Sequence, residues 1–95
     1  MFELSYSYPF SSEWSTDEIV DVVNFFAAIE LAYETGIKRE ELVAKYRRFK
    51  EVVPSMAEEK TYFREFEKES GYVSFNVIKK LKDAPAGSMI KGAGK

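Results

Sequence analysis

Two glutamates, Glu59 and Glu30, are the side chains whose types and positions could do chemistry in this sequence. On a helical wheel, Glu59 falls in the middle of an apolar stripe that consists of Met56, Tyr62, Phe63 and Phe66. Glu30 has a similar position beside apolar residues of an earlier helix. A carboxylate at such a position needs a partner or must open onto a pocket, because burial of an unpaired charge costs much free energy.

Two interpretations of these carboxylates remain open. In the structural one, both lie at the edge of the core and are satisfied by Arg39, Lys50 or a tyrosine. We favour it because ion-pair networks perturb carboxylates as readily as catalysis does. In the functional one, they bind a hard metal ion or act as acid and base. We expect Glu59 to be partly buried and hydrogen-bonded to a basic or hydroxyl group of another helix.

The absence of two residue types removes most familiar catalytic and metal sites. The chain contains no cysteine and no histidine among its 95 residues. Disulfides, thiolate nucleophiles, zinc sites with Cys or His ligands and Ser-His-Asp triads are therefore excluded. Carboxylates, lysines and tyrosines can still catalyse, but no spacing here assembles a known site. We expect a protein that is not an enzyme and has no cofactor.

The positions of the basic residues are more typical of a solvent-exposed helix face than of a nucleic-acid binding site. Arg47 and Arg48 point outward on the predicted second helix, near Glu41 and Glu51, and their alternative role is an interface hot spot. Further bases near the carboxyl end are Lys79, Lys80, Lys82, Lys91 and Lys95. A pI near 5.2 disfavours a protein whose main work is coating phosphates. An RNA- or ribosome-associated role remains the alternative to a protein partner.

The first predicted helix has two apolar faces. Ser15 and Glu18 match a capping box at its start, and Gly36 is placed to end it. One apolar face continues through residues 19–33, and a second contains Phe25, Ala28 and Ala32. A helix that is apolar nearly all round is central or meets a partner. We expect the second face to be covered by another helix of the chain or by a second subunit.

The remaining patterns complete an all-α prediction, a compact array of about four helices. Helices are predicted over about residues 15–35, 38–53, 55–70 and 74–84, with Ser74 as cap of the last. The expected inward residues of the last two are Met56, Phe63, Phe66, Phe75, Ile78 and Leu81. Alternating apolar residues predict an extended arm over residues 1–10. Residues 1–85 form the predicted single domain, and the composition of residues 86–95 predicts a flexible tail.

Four stretches of the sequence together resemble a known family. They are WSTDEIVDVVNFF, YRRFKEVVPS, EEK and SGYVSFNVIKK, and their order and spacing are similar to uncharacterised protein family 0223, the YktA-like small proteins of Gram-positive bacteria. The resemblance covers about residues 6–82. It implies an all-helical fold. It implies no activity and transfers no catalytic or binding residue.

The sequence as a whole favours an accessory protein that acts through binding. No apolar run approaches the roughly 20 residues needed to span a bilayer, so we expect a cytoplasmic location and no membrane contact. We expect an unidentified protein partner. A homodimer through the first helix or the arm of residues 1–10 is a further expectation. An enzyme or a metal-binding protein that uses carboxylates ranks third.

Overall fold

The computed structural model describes residues 11 and 13–92, which form four α-helices and one two-stranded sheet. In chain order, the elements are α1 Thr16–Glu34, β1 Ile37–Lys38, α2 Arg39–Val52, α3 Met56–Ser70, α4 Ser74–Asp83 and β2 Met89–Ile90. The predicted all-α class is confirmed. None of these helices combines the length and apolar character that crossing a membrane requires. The extended arm predicted for residues 1–10 lies outside the described residues.

Local signals set the ends of α1 and α3 as predicted. The Ser15 hydroxyl accepts from the Glu18 N–H at 3.2 Å, and the Glu18 carboxylate accepts from the Ser15 N–H at 2.9 Å. Ser55 is the N-cap residue of α3, and its hydroxyl accepts from the Glu58 N–H. Gly36 follows α1 with φ +97°, and Gly71 ends α3 with φ +81°. Glycine adopts this left-handed backbone without the penalty that a Cβ would impose.

The core forms around α1, which explains why this helix is apolar on both faces. Phe25 stacks on Phe49 of α2 with ring centroids 4.5 Å apart, and Phe26 lies 4.6 Å from Phe66 of α3. Phe25, Ala28 and Ala32 are all buried. The prediction that this second face is covered is therefore confirmed, and the cover comes from the same chain.

The start and rotation of α4 differ from the prediction. Its N-cap is Val73, which makes no side-chain capping bond, and Ser74 is a buried residue of the first turn. The buried residues are Ser74, Val77, Ile78 and Leu81. Phe75 is 55% exposed because it lies one position, or about 100° of rotation, away from this face. The inward position predicted for Phe75 is therefore wrong.

Met56 also differs from its predicted inward position. It is 58% exposed because it is the first residue of α3 and lies at the edge of the contact with α2, where its sulfur accepts from the Lys50 ammonium at 3.9 Å. Glu59 and Phe63, one and two turns later, are buried as expected.

Residues 86–92 pack on the domain, unlike the loose tail that their composition suggested. β2 pairs antiparallel with β1, with Ile90 opposite Ile37 and Met89 opposite Lys38. Ile90 is 3% exposed and belongs to the core, whereas Met89 is 53% exposed. The Gly92 N–H donates to a carbonyl of α1 at 3.0 Å. Residues 93–95 lie outside the described part.

Candidate functional site

Glu59 lies in a polar cluster between α2 and α3, as its sequence position predicted. Its side chain is almost fully buried. The Tyr46 hydroxyl donates to Oε2 at 3.0 Å, and the Lys50 ammonium donates to Oε1. Tyr46 and Lys50 are four residues apart on α2, so both reach the same carboxylate from one face of that helix. One hydroxyl and one cation thus satisfy the charge.

The surroundings of this cluster support its structural interpretation. Lys50 Nζ also lies 3.5 Å from the carbonyl oxygen of Pro54, in the turn that joins α2 to α3. The Tyr46 ring packs 5.7 Å from Phe25 in the core. The cluster therefore ties the end of α2 to the start of α3, and both carboxylate oxygens of Glu59 already accept a bond.

Burial, followed by the hydrogen bond to Glu59, raises the pKa of Tyr46 above its ordinary value. Folding therefore favours the protonated phenol. The resulting stabilisation is fully present below the unfolded-state pKa of about 10 and is lost as the pH rises above it towards the folded-state pKa. We expect the free energy of unfolding, measured by urea denaturation from pH 9 to 11.5, to fall more steeply for the native protein than for Tyr46→Phe. Parallel pH profiles for the two proteins would contradict this coupling.

The other predicted site residues lie apart from this cluster. Glu30 is half-buried on α1, whereas Glu59 lies between α2 and α3. Arg47 and Arg48 are exposed on α2, as expected. Arg48 is held by Asp21 of α1, with N–H···O distances of 3.4 and 3.2 Å. The ion-pair partner of Arg48 is therefore Asp21 of α1, and not Glu41 or Glu51 of α2 as the sequence suggested.

The arrangement of acidic side chains bears on the functional interpretation of the two glutamates, in which they bind a hard metal ion. No three acidic side chains there lie close enough together to hold a metal ion.

A groove between α3 and the start of α4 was not predicted from the sequence. It has a volume of about 380 Å³. The residues that line it from α3 are Lys60, Phe63, Arg64 and Glu67. Those that line it from the start of α4 are Val73, Ser74 and Phe75. The groove combines apolar walls with charged and hydrogen-bonding groups, which is typical of a binding site.

Two cations and two aromatic rings line the groove. Lys60 and Arg64 are exposed, four residues apart on α3, and neither forms an ion pair within the described residues. Phe63 is buried beneath them, and Phe75 stands exposed on the α4 side. Glu67 adds one negative charge, so the charged lining has a net charge of about +1 at neutral pH.

The amino end of α4 leaves hydrogen-bonding groups unused at this groove. The Val73 N–H donates to the Tyr33 hydroxyl at 3.2 Å, and the Asn76 N–H bonds within the turn. Within the described residues, the N–H groups of Ser74 and Phe75 have no acceptor. The Ser74 hydroxyl oxygen is buried and has no hydrogen-bond partner there.

One signal in the sequence could have revealed this arrangement. A capping box requires Glu or Gln three residues after the capping Ser or Thr. Position 77 is Val, so Ser74 lacks the second half of the motif that Ser15 has in Glu18.

Comparisons with known proteins give one consistent result. The model of the Uncharacterised protein family (UPF0223) matches residues 5–90. This range is wider than the residues that carried the resemblance, and it includes β2. A UPF0223 protein of Lysinibacillus sphaericus is 66% identical over 88 residues, covering 93% of each chain. One of Oceanobacillus iheyensis is 55% identical, covering 84% of this chain and 91% of the relative. YktA of Bacillus subtilis is 48% identical, covering 85% and 92%.

Proposed function

This chain belongs to the uncharacterised protein family UPF0223, and we propose that it is a non-enzymatic accessory protein of the bacterial cytoplasm that binds another protein through the groove between α3 and α4. The observation that carries the proposal is the groove itself, which is lined by exposed Phe75 and by Lys60 and Arg64, two cations without an ion pair in the part of the chain that the structure describes.

The groove suits a protein segment in size and composition. A volume of about 380 Å³ is near the lower end of ligand sites, enough for one or two side chains of a partner. Aromatic residues and Arg are enriched in protein interfaces, and hot spots cluster where an apolar contact is surrounded by polar groups. Phe75 and Arg64 provide that combination on opposite sides of the groove.

An RNA- or ribosome-associated role is the alternative outcome. RNA-binding surfaces that act by stacking offer aromatic rings to successive bases within a positively charged groove. Here Phe75 is the one exposed aromatic ring among the groove residues described above, and the groove also contains Glu67. A homodimer through α1 or the arm of residues 1–10 stays a prediction, although the α1 face that motivated it is covered within the chain.

Site-specific photo-crosslinking tests the proposal. A photoreactive phenylalanine derivative replaces Phe75 in the full chain, expressed in Bacillus subtilis without its own YktA. We expect one discrete protein adduct, which disappears when Lys60→Glu and Arg64→Glu are added because the charge of the groove is reversed. A probe at exposed Lys45 of α2 is the position control.

A matched charge reversal at exposed Lys45 and Arg47 should leave the Phe75 adduct unchanged. Loss of the adduct in both charge variants would mean that net charge, and not the groove, determines capture. Adducts with RNA in place of protein would favour the alternative role. Equal labelling from positions 75 and 45 would also contradict the proposal.

A further inference from the structure

We infer that the groove binds an acidic segment of the partner protein, with one carboxylate held at the amino end of α4 by Ser74, Lys60 and Arg64. This inference rests on the proposed function and names the chemistry of its partner. Three features of the site support it: the first N–H groups of α4, which have no acceptor among the described residues, the buried hydroxyl of Ser74, and the charge balance of the groove.

The free N–H groups make the start of α4 attractive to an anion. The first N–H groups of a helix lack intrahelical acceptors and carry the positive end of the helix dipole. Side chains usually satisfy them, but Val73 at the N-cap offers no oxygen. Within the described residues, the N–H groups of Ser74 and Phe75 therefore remain available to an acceptor from outside the helix.

The Ser74 hydroxyl is a second, separate indication of a missing acceptor. Ser74 is 1% exposed, lines the groove, and its oxygen has no partner in the described part of the chain. Buried polar groups are nearly always hydrogen-bonded, and an unpaired one destabilises the fold. Because the O–H group rotates about the Cβ–Oγ bond, it can donate to an anion in the groove. A bound carboxylate would satisfy the hydroxyl and the free N–H groups together.

The charge balance favours a carboxylate over a phosphoryl group. Lys60 and Arg64 provide two positive charges, and Glu67 removes one. A carboxylate carries one negative charge, whereas a phosphorylated side chain carries about −1.5 to −2 at neutral pH and would be repelled more strongly by Glu67. The apolar walls formed by Phe63 and Phe75 suit an apolar residue next to the acidic one. The occupant is therefore an Asp or Glu with an apolar neighbour in the partner's chain.

Titration of the full chain by ¹⁵N NMR tests this inference with defined probes. The probes are the blocked tripeptide acetyl-Leu-Glu-Leu-amide, its Gln counterpart and inorganic phosphate. We expect the Glu peptide to shift the amide signals of Ser74 and Phe75 saturably. We expect it to bind about tenfold more tightly than the Gln peptide, because bonds to a charged acceptor are stronger.

Variants separate binding from folding. Ser74→Ala removes an unpaired hydroxyl, so the thermal midpoint should stay the same or rise while the Glu peptide binds less tightly. Lys60→Gln with Arg64→Gln should reduce the preference for the Glu peptide, and Lys45→Gln with Arg47→Gln on α2 should leave it unchanged. A Ser74→Ala protein that binds the Glu peptide as tightly as the native one would overturn the role of this hydroxyl and with it the inference.

The remaining outcomes each have one meaning. Equal binding of the Glu and Gln peptides at α4 overturns the carboxylate site but keeps the groove as a docking site. Tighter binding of phosphate to the same amides overturns it in favour of a phosphoryl group. No shift at Ser74 or Phe75 with the Glu peptide overturns the inference, and the crosslinking from position 75 then decides the proposed function separately.

Discussion

Replacing Ile90 with alanine is expected to lower the free energy of unfolding by about 2–4 kcal/mol. Ile90 is buried in the core and pairs with Ile37 across the two-stranded sheet. Truncation removes buried apolar surface and leaves a cavity that the neighbouring side chains fill only in part. Urea denaturation of the full chain, followed by circular dichroism, measures the loss.

Met89→Ala is the matched control for this substitution. Met89 is adjacent in sequence and in the same strand, but its side chain is largely exposed, so we expect a loss below about 0.5–1 kcal/mol. A chain that ends after residue 85 should lose at least as much stability as Ile90→Ala. Small and equal effects of all three changes would mean that residues 86–92 contribute little, as their composition alone suggests.

Glu59→Ala is expected to lower the free energy of unfolding by about 1–3 kcal/mol. The substitution leaves the ammonium of Lys50 and the hydroxyl of Tyr46 without their shared acceptor. The loss stays below that of a fully buried ion pair because the Lys50 side chain is 25% exposed and can turn towards water. Thermal and urea denaturation give the value.

The neighbouring Glu58→Ala provides the comparison. Glu58 is exposed in the first turn of α3, and its backbone N–H, not its side chain, bonds to Ser55. Only its favourable interaction with the helix dipole is lost, typically below about 1 kcal/mol. An equal and small loss of unfolding free energy for the two substitutions would mean that the Glu59 carboxylate does not stabilise the contact between α2 and α3.

Features set by neighbouring residues could be predicted from the sequence. The capping box of Ser15 with Glu18 and the left-handed Gly71 depend on residues within one turn, and both appear where the pattern placed them. Burial of Glu59 could also be predicted because helical spacing puts it on the same face as Phe63. The sequence limited the possible partners of the two glutamates to Arg39, Lys50 or a tyrosine, and the observed partners of Glu59 are Lys50 and Tyr46.

Features that join distant segments could not be predicted. β1 and β2 have two residues each, and each is a strand only because it pairs with the other. Two residues are too few to show the alternation of apolar and polar residues by which a strand is recognised in a sequence. The groove depends on how α4 is rotated against α3, and the prediction placed Phe75 inward because it took Ser74 as the cap. A shift of one residue changes which side chain faces the core, and that choice is made by packing against α1 and α3.

The pairing of β1 with β2 also determines the order in which the chain can fold. α1 and α2 are neighbours in sequence and can pack early, whereas Ile37 and Ile90 must close a long loop before their contact contributes any stability. The sheet therefore forms late, and weakening it should speed unfolding more than it slows folding. During synthesis on the ribosome, the side of the core around Ile37 stays uncovered until residue 90 has left the ribosome.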